Sequence, residues 1–215
     1  NKMSKSKGNV VSPQKVINRL GADILRLWVA STDYTSEISV SDEILNRTSD
    51  KYRKIRNTIR FLLANISDFE EKDYESEISN ELDKWILCRA INTQKNIIEN
   101  YDKYNMHNVV QIIHSFCVNE LGSFYLDIIK DRIYTINKNS YSRKSAQQAM
   151  KHILNMLILW LAPICPHTAE ESWSHFTNTN NNSVLLNNWY DTNEIKFGNR
   201  KVNDEDWDCL LYTSP

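Results

Sequence analysis

The chain has 215 residues, of which 41% are hydrophobic and 25% are charged, and its formal net charge is -1. This is the composition of a soluble globular protein, and the charge balance excludes a generally cationic surface. No stretch approaches the apolar length that spans a bilayer, and no apolar segment typical of a signal peptide follows the N-terminal lysines. The sequence therefore predicts a cytoplasmic protein without a membrane partner.

The counts of special residues favour helices and reduced thiols. Only four glycines and four prolines occur, which favours long helices over a turn-rich β architecture. The four cysteines stand at positions 88, 117, 165 and 209. No C-x-x-C pair is present, so we expect no zinc site from these residues. We expect Cys117 to pack in a helix face.

Apolar residues at helical spacing predict a mainly α fold. The predicted helices cover about residues 13–20, 24–29, 43–66, 81–101, 106–135, 143–161 and 168–176. The second half of the helix at 143–161 is apolar on nearly all sides, so we expect this helix at the centre of the protein. The acidic stretch at 67–80 is predicted to be an exposed connection.

Several helix ends carry typical start and stop residues. Ser12, which is followed by proline, predicts a helix start, and Gly21 predicts its stop. Ser41 predicts the N-cap of the long helix that follows it. Thr168 and Glu171 lie three residues apart and form the pattern of a capping box, which predicts the start of the last short helix.

A lysine-rich segment, KMSKSKGNV, occupies residues 2–10 and precedes the first helical pattern. Lys2, Lys5 and Lys7 supply compact positive charges that suit phosphate groups. The small residues between them let backbone N–H groups approach the same anion, so such a loop could close over a triphosphate. From the residue types alone, an ordinary solvated basic loop or part of a nuclear localisation signal explains the segment as well.

The order Lys-Met-Ser-Lys-Ser, unaltered at Lys2 to Ser6, is similar to the signature loop of class I aminoacyl-tRNA synthetases. Residues 2–31 resemble the end of their catalytic domain in the branch for Ile, Leu, Val and Met. Further segments appear in the family's order and most closely resemble isoleucyl-tRNA synthetases: DYTSEISVSDEIL, YRKIRNTIRFLLANI, SFYLDIIKDRIY, SAQQAMKHIL and APICPHTAEESW. The resemblance covers roughly residues 1–190.

The resemblance implies a division of the chain into parts. Residues 1–40 would be the end of a Rossmann-type catalytic domain with its lysine-rich loop, and residues 41–190 an antiparallel α-helical bundle that binds the tRNA anticodon. Residues 191–215 would be a weakly patterned tail, and from Cys209 onward it does not continue the family pattern, as a truncated or foreign end would. The chain lacks the HIGH-type motif, the amino-acid pocket and the editing insertion. We therefore expect a fragment that does not activate isoleucine alone.

The resemblance also implies roles for single residues. Lys5 would contact the ATP phosphates while isoleucyl-adenylate forms, and Lys2 would position or close the loop. ATP would bind the whole signature, Lys2, Met3, Ser4, Lys5 and Ser6, and magnesium would accompany it. Zinc is expected only in a C-terminal module that this chain does not contain. The implied partners are ATP, isoleucine and tRNA(Ile), and the enzyme is expected to act as a monomer.

Arg53, Arg56 and Arg60 recur at intervals of three and four residues, which places them on one face of the predicted helix at 43–66. A basic stripe on a long helix can follow an RNA backbone. A solvated face with charge pairs would give the same spacing. The resemblance favours contact with tRNA for at least one of the three arginines.

Other basic residues are interpreted less directly. Lys130 and Arg132 lie close in sequence to Asp127 and Asp131, so we expect a structural network of charge pairs. Arg143 and Lys144 open a helix after a loop, where cations are unfavourable unless an anion lies nearby. This position is a weak hint of RNA contact.

The tryptophans divide into two groups. Trp85, Trp160 and Trp173 stand at helical spacing among apolar neighbours and are predicted to pack in the core. Trp189 and Trp207 lie in weakly patterned sequence near the end of the chain, so they are candidates for stacking on an RNA base.

Two alternatives remain at the level of sequence. A leucyl or valyl relative would share the chemistry and bind a different tRNA, although YRKIRNT and FYLDIIKDR favour the isoleucyl branch. A non-catalytic helical scaffold or a general RNA-binding module would make the lysine-rich loop incidental. Labelling of Lys2 or Lys5 by a lysine-reactive ATP analogue separates the enzyme from such a scaffold.

Overall fold

The computed structural model describes residues 3–4, 6, 10–70, 78, 80–179 and 182–198. Its helices are α1 (Pro13–Leu20), α2 (Ala22–Ala30), α3 (Asp42–Asn65), α4 (Glu81–Asp102), α5 (Met106–Ser115), a π-helix (Phe116–Tyr125), α6 (Leu126–Ile128), α7 (Lys130–Tyr134), α8 (Tyr141–Leu161) and α9 (Pro166–Thr177). Two 3-10 turns follow, Val184–Leu186 and Thr192–Glu194. Over these described ranges the chain forms no extended strand, and no helix has the length and apolar character to cross a bilayer. The predicted mainly α fold is confirmed.

The long helices reverse direction from one to the next along the chain. The side chain of Gln147 donates to the backbone carbonyl of Asn65 at 2.8 Å, so the start of α8 lies beside the end of α3. The hydroxyl of Tyr125 donates to Asp83 at 2.8 Å, so the end of the π-helix lies beside the start of α4. Both contacts join helices that run antiparallel, as predicted for the bundle.

The α4 and α8 helices pack side by side and run in the same direction. Near their first turns, Ser145 donates to Asp83 at 2.6 Å. Near their last turns, the hydroxyl of Tyr101 donates to the backbone carbonyl of Trp160 at 2.8 Å. Because α8 also contacts α3, it lies between α3 and α4.

The centre of the core is α8, as its pattern predicts. Its second half is buried almost without interruption, and the side chain of Trp160 is fully enclosed. Trp85 of α4 and Trp173 of α9 are buried as well. Edge-on ring contacts of Trp85 with Phe124 and of Trp160 with Phe116 connect these helices to the π-helix, at centroid distances of 5.1 and 5.4 Å. Core packing of the three tryptophans is confirmed.

The prediction of one helix over 106–135 is wrong. The segment changes to π-helical geometry from Phe116 to Tyr125 and then continues as two short helices. A π-helix closes its hydrogen bonds over one more residue than an α-helix, and periodicity in the sequence does not separate the two. At Gly122 an added Cβ would lie 2.9 Å from the carbonyl oxygen of Cys117, so this turn needs a glycine.

The prediction that residues 67–80 are an exposed connection is wrong for part of the segment. Phe69 and Ile78 are buried, while residues 71–77 and 79 lie outside the described residues. Ile78 forms an isolated parallel β-bridge with Phe197, with its N–H donating to the carbonyl of Lys196 at 2.9 Å. The late part of the chain therefore folds back on the connection before α4 at Ile78.

The predicted helix start and stop residues agree with the structure at three positions and disagree with it at one. Ser41 accepts a hydrogen bond from the N–H of Ile44 at 3.2 Å, and Gly21 has a φ of 97°, which only glycine adopts freely. Ser12 precedes α1, although its side chain makes no cap bond. The capping box at Thr168 is wrong, because α9 already begins at Pro166.

The thiols within the described residues are reduced, as expected. Cys117 and Cys165 are buried, Cys88 is half-buried, and Cys209 lies outside the described residues. Burial raises the pKa of the Cys117 thiol to about 12. Burial and the nearby carboxylate of Asp23 raise the pKa of Cys165 to about 12. Thiols with such pKa values carry no thiolate near neutral pH, so both cysteines are packing residues.

Candidate nucleic-acid interface

The arginine stripe on α3 has the predicted geometry. Because α3 runs unbroken from Asp42 to Asn65, the intervals between Arg53, Arg56 and Arg60 place them along one side of the helix. Arg53 forms an ion pair with Asp50 on the same helix, and Arg56 lies 3.6 Å from the carboxylate of Glu171 on α9. Among the described residues, Arg60 forms no ion pair. Its guanidinium is therefore the most available of the three for an external anion.

Arg60 also borders a groove of about 730 Å³ between the end of α3, the turn after it, α8 and α9. We call it the α3–α9 groove and define it by its polar and its aromatic side chains. The polar ones are Asn57, Arg60, Ser67, Lys151, His175 and Asn178. The aromatic ones are Phe61, Phe69 and Phe176. None of the lining residues that the structure describes is a carboxylate.

The aromatic side chains of the groove are held by neighbours. Phe176 contacts the buried ring of Trp173, with ring centroids 5.8 Å apart. The amine of Lys151 lies 5.7 Å from the centroid of the Phe69 ring, within the range of a cation–π contact. Phe61 and Phe176 are half-buried, so part of each ring faces the groove.

Little of the predicted ATP-binding loop can be described. Lys2 and Lys5 lie outside the described residues, so their predicted roles stay predictions. Met3 and Ser6 are exposed, and Ser4 is half-buried. The hydroxyl oxygens of Ser4 and Ser6 lie 2.7 Å apart, which is a hydrogen bond within the signature.

The second helix after this loop, α2, is attached to the bundle by polar contacts. Asp23 of α2 is buried, and one of its carboxylate oxygens accepts from the N–H and the hydroxyl of Thr168 at 2.7 and 2.6 Å. Arg26 donates to the backbone carbonyls of Ile164 and Pro163 at 2.8 and 3.0 Å. Thr168 also shares a hydrogen bond of 2.8 Å with Tyr52 of α3. The α2, α3 and α9 helices therefore meet at Thr168.

The predicted network around Lys130 and Arg132 is confirmed in part. Lys130 pairs with Asp127 at 2.5 Å on the surface. Arg132 instead pairs with Asp83 of α4, to which it donates two hydrogen bonds of 2.7 and 3.1 Å. The Asp83 side chain is fully buried, so Arg132 supplies the countercharge that a buried carboxylate requires. Sequence proximity suggested the wrong partner for Arg132.

The hint of RNA contact at Arg143 is wrong. Its side chain is buried and donates to both carboxylate oxygens of Asp68 at 2.9 and 3.2 Å. It also donates to the carbonyl of Ile133 and to the side chain of Gln147. Arg143 therefore joins the turn after α3 to α8, and its guanidinium is not available to a partner.

Of the two tryptophans predicted to stack on an RNA base, the structure describes only the first. Trp189 is partly exposed, and its ring lies 5.5 Å from that of Tyr101 in a tilted contact. Trp207 lies outside the described residues. Stacking of either ring on an RNA base stays a prediction.

Sequence reasoning missed one polar pair in the core. His152 of α8 is buried, and its Nδ1 lies 2.7 Å from the hydroxyl of Tyr190. Burial, with a smaller effect of Lys151, lowers the pKa of His152 to about 4. The only signal in the sequence is a histidine on the apolar face of α8, and the pattern gives no indication of its partner.

Comparison with known proteins identifies the family of this helical bundle with its basic stripe and lysine-rich entry segment. Residues 1–41 match the profile of class I tRNA synthetases (I, L, M and V). Residues 83–210 match the profile described as the anticodon-binding domain of tRNA ligase. This match spans more than half of the chain, so the chain belongs to the family of tRNA ligase anticodon-binding domains.

Curated relatives named isoleucine–tRNA ligase match nearly the whole chain. The isoleucine–tRNA ligase of Ruthia magnifica subsp. Calyptogena magnifica is 52% identical over 203 residues, which are 94% of this chain and 22% of the relative. The isoleucine–tRNA ligase of Vesicomyosocius okutanii subsp. Calyptogena okutanii (strain HA) is 54% identical over 190 residues, which are 88% of this chain and 20% of the relative. The chain thus spans about a fifth of the length of these relatives.

The fold also occurs among solved structures, for example in the following one. It is the Agrobacterium radiobacter K84 agnB2 LeuRS in a ternary complex with tRNA and LeuAMS. Its TM-score with this chain is 0.66 at 21% sequence identity, over 90% of this chain and 22% of that chain. At this identity the similarity concerns the fold alone.

Proposed function

We propose that this chain is the part of an isoleucine–tRNA ligase that runs from the ATP-binding loop through the anticodon-binding bundle. The observation that carries the proposal is identity of 52% and 54% to proteins of that name, over nearly the whole chain. The complete enzyme would join isoleucine to ATP, releasing pyrophosphate, and would transfer the isoleucyl group to tRNA(Ile). The division at residues 1–40, 41–190 and 191–215 is part of this proposal.

The proposed role of the loop is neutralisation of phosphate charge. When the amino-acid carboxylate attacks the α-phosphate, negative charge develops at phosphorus and on the leaving pyrophosphate, and lysine amines stabilise it. We assign contact with the phosphates to Lys5, positioning of the loop to Lys2, and the flexible frame to Met3, Ser4 and Ser6. The stretch at 2–10 contains no carboxylate, so a magnesium ion would reach the site on the ATP phosphates.

The proposed role of the bundle is binding of tRNA(Ile). Anticodon bases are unpaired, so a protein can separate them and contact their edges. The exposed arginines of α3 and the α3–α9 groove offer positive charge on one side of the bundle. Zinc would belong to a separate C-terminal module of the enzyme, since no cluster of histidine, cysteine and acidic residues in the described ranges suits a metal ion. The complete enzyme is proposed to act as a monomer.

The ATP-binding role is tested by pyrophosphate exchange in the full-length enzyme. Lys5→Ala and Lys2→Ala are each expected to lower the exchange rate by at least an order of magnitude, about 1.4 kcal/mol or more of transition-state stabilisation. Lys15→Ala is the matched control, because Lys15 is an exposed lysine on α1. A double Lys2→Ala, Lys5→Ala variant that exchanges at the normal rate would contradict the proposal.

Two measurements on the isolated chain test its expected lack of activity and its expected preference for tRNA(Ile). The chain without further protein is expected to show no isoleucine-dependent exchange above background. In filter binding it is expected to prefer tRNA(Ile) over tRNA(Val), with an affinity that falls steeply with salt. Equal affinity for both tRNAs would favour a general RNA-binding module instead.

A further inference from the structure

We propose that Asp23 and Arg26 of α2 position the helical bundle relative to the ATP-binding loop while the isoleucyl group is transferred to tRNA. This inference rests on the proposed function, in which the loop serves formation of the adenylate and the bundle binds the tRNA. Neither side chain is assigned contact with a substrate. Both are positioning residues, and they act through the turn between α8 and α9.

This turn is open at the place where one more helical turn would close it. In an α-helix the N–H of Thr168 would donate to the carbonyl of Ile164, four residues earlier. Instead, the N–H of Thr168 donates to the carboxylate of Asp23 at 2.7 Å, and the carbonyl of Ile164 accepts from the guanidinium of Arg26 at 2.8 Å. Helix α2 therefore supplies an acceptor and a donor to two backbone groups that would otherwise pair with each other.

The sequence of the turn keeps these two backbone groups apart. Pro166 is the first residue of α9, and a proline disfavours the α-helical conformation of the residue before it. Cys165 accordingly has a φ of -118° and a ψ of 70°. Because α9 does not extend back through Cys165, the N–H of Thr168 and the carbonyl of Ile164 take their partners from α2.

The charges of the two side chains suit the two helix ends that they contact. The negative charge of Asp23 lies at the start of α9, and the positive charge of Arg26 lies at the carbonyls of Pro163 and Ile164, just after the end of α8. The helix dipoles favour this arrangement of signs. Asp23 and Arg26 are three residues apart and share one side of α2, so only one orientation of α2 satisfies both ends.

These hydrogen bonds give direction to a contact that is otherwise apolar. Ile24 and Leu27 of α2 are buried as well. Burial of apolar surface has no preferred direction, whereas a hydrogen bond weakens steeply when its angle changes. Asp23 is 6% exposed, so water does not readily replace its contacts. The apolar residues therefore attach α2 to the bundle, and Asp23 with Arg26 fixes its position there.

Transfer to tRNA depends on this position more than formation of the adenylate does. In the transfer a terminal ribose hydroxyl of the tRNA forms an ester with the isoleucyl carbonyl carbon. The acyl–phosphate bond breaks, AMP leaves with its electron pair, and the hydroxyl proton passes to solvent. A bundle that holds the tRNA at one end and tilts would move the hydroxyl at the other end. A displacement of about 1 Å can cost about 100-fold in rate, whereas ATP and isoleucine react without tRNA.

The test compares two reactions of the full-length enzyme. One is isoleucine-dependent pyrophosphate exchange without tRNA, and the other is single-turnover transfer from adenylate formed beforehand to tRNA(Ile). The disruptive variants are Asp23→Ala and Arg26→Gln. The conservative variants are Asp23→Asn, whose amide oxygen can still accept from the N–H of Thr168, and Arg26→Lys, which keeps a charged donor. Filter binding measures the affinity of each variant for tRNA(Ile).

Matched controls remove another polar contact between the same parts of the chain. Arg19 of α1 pairs with Asp42 at the start of α3 at 2.8 Å, and both side chains are exposed. Arg19→Gln and Asp42→Asn make the same chemical changes at this surface pair, which is expected to contribute little. Urea unfolding of every variant measures loss of the fold. If Asp23→Ala does not fold, Arg26→Gln gives the same comparison, because Arg26 is exposed at the surface.

We expect the disruptive variants to lower the transfer rate by about tenfold or more, while exchange and tRNA affinity stay within about threefold of the normal values. The conservative variants should recover part of the transfer rate, and the controls should leave both reactions unchanged. An equal fall in exchange and transfer, or no fall in either, would overturn the positioning proposal while the proposed function stands. An unaltered enzyme that catalyses neither reaction with isoleucine would contradict both.

Discussion

The carboxylate of Asp23 caps the start of α9 in place of a side chain from α9 itself. It accepts from the N–H and the hydroxyl of Thr168 at 2.7 and 2.6 Å, across 145 residues of sequence. The N-cap residue of α9, Cys165, makes no side-chain cap bond. Free N–H groups and the helix dipole favour a negative charge at this end. The contact therefore fixes α2, the second helix after the lysine-rich loop, to the start of α9.

This contact predicts thermodynamic coupling between Asp23 and Thr168. Asp23→Ala should lower the free energy of unfolding by about 1–3 kcal/mol, because it leaves buried donors without an acceptor. Thr168→Val keeps the shape of the side chain and removes only the hydroxyl. In a double-mutant cycle measured by urea unfolding, the two changes should be less than additive by about 1 kcal/mol. Asp33→Ala, at an exposed turn, is the control, and strict additivity would show that the residues act independently.

The buried ion pair of Asp83 and Arg132 predicts an asymmetric response to mutation. Arg132→Leu should destabilise the chain by about 3–5 kcal/mol, because it leaves the Asp83 carboxylate buried without a countercharge. The double variant Asp83→Asn, Arg132→Leu should recover part of this loss, since the amide carries no charge. Its oxygen can accept the hydrogen bond of Tyr125, and its NH2 group can donate to the hydroxyl oxygen of Ser145. Urea unfolding measures both.

The surface pair of Lys130 with Asp127 provides the comparison for this experiment. Both side chains are largely exposed, so Lys130→Ala should change the unfolding free energy little. A loss as large as that of Arg132→Leu would contradict the assignment of the buried pair as the stabilising one.

His152 predicts a loss of stability in mild acid. Its pKa is lowered from 6.5 to about 4 by burial, so the unfolded chain takes up a proton below pH 6.5 that the folded chain does not take up until about pH 4. The free energy of unfolding should therefore fall as the pH drops through this interval, by up to about 1.4 kcal/mol per pH unit from this one group.

The contribution of His152 is isolated by comparing variants. His152→Gln should flatten the pH dependence between pH 6.5 and about 4. Urea unfolding at a series of pH values measures the slope. An unchanged slope in His152→Gln would assign the acid sensitivity to other groups.

Replacement of Gly122 by alanine should destabilise the protein, although helix propensity favours alanine over glycine. Alanine is the better residue in an ordinary helix by about 1 kcal/mol. In the π-helix an added Cβ would lie 2.9 Å from the carbonyl oxygen of Cys117, and a backbone atom cannot move aside cheaply. Gly122→Ala should therefore lower the melting temperature. Ser123→Ala, the next residue and an exposed one, is the control and should not lower it by as much.

The sequence predicts the parts of this fold that depend on local pattern. Helix α3 follows from apolar spacing and from the Ser41 cap, and its regular period places Arg53, Arg56 and Arg60 on one side without any knowledge of other helices. The central position of α8 follows from its apolar surface. Both features need information from one segment only.

The features that the sequence does not predict depend on distant partners. Thr168 has the pattern of a capping residue, but Asp23 takes over that role from the other end of the chain. Arg143 looks like a free cation until Asp68 is placed beside it. The α3–α9 groove exists because α9 folds against the end of α3, so its lining from α8 and α9 cannot be predicted from the arginine stripe alone.

The bridge between Ile78 and Phe197 attaches a late segment of the chain to the bundle. It holds residues 196–198 beside the start of α4, where the amine of Lys84 also donates to the carbonyl of Gly198 at 2.9 Å. The start of α4 is at the same end of the bundle as the end of α3. Residues 196–198 therefore lie at the end of the bundle that also carries the α3–α9 groove, and the backbone pairing of Ile78 with Phe197 joins that end to the connection between α3 and α4.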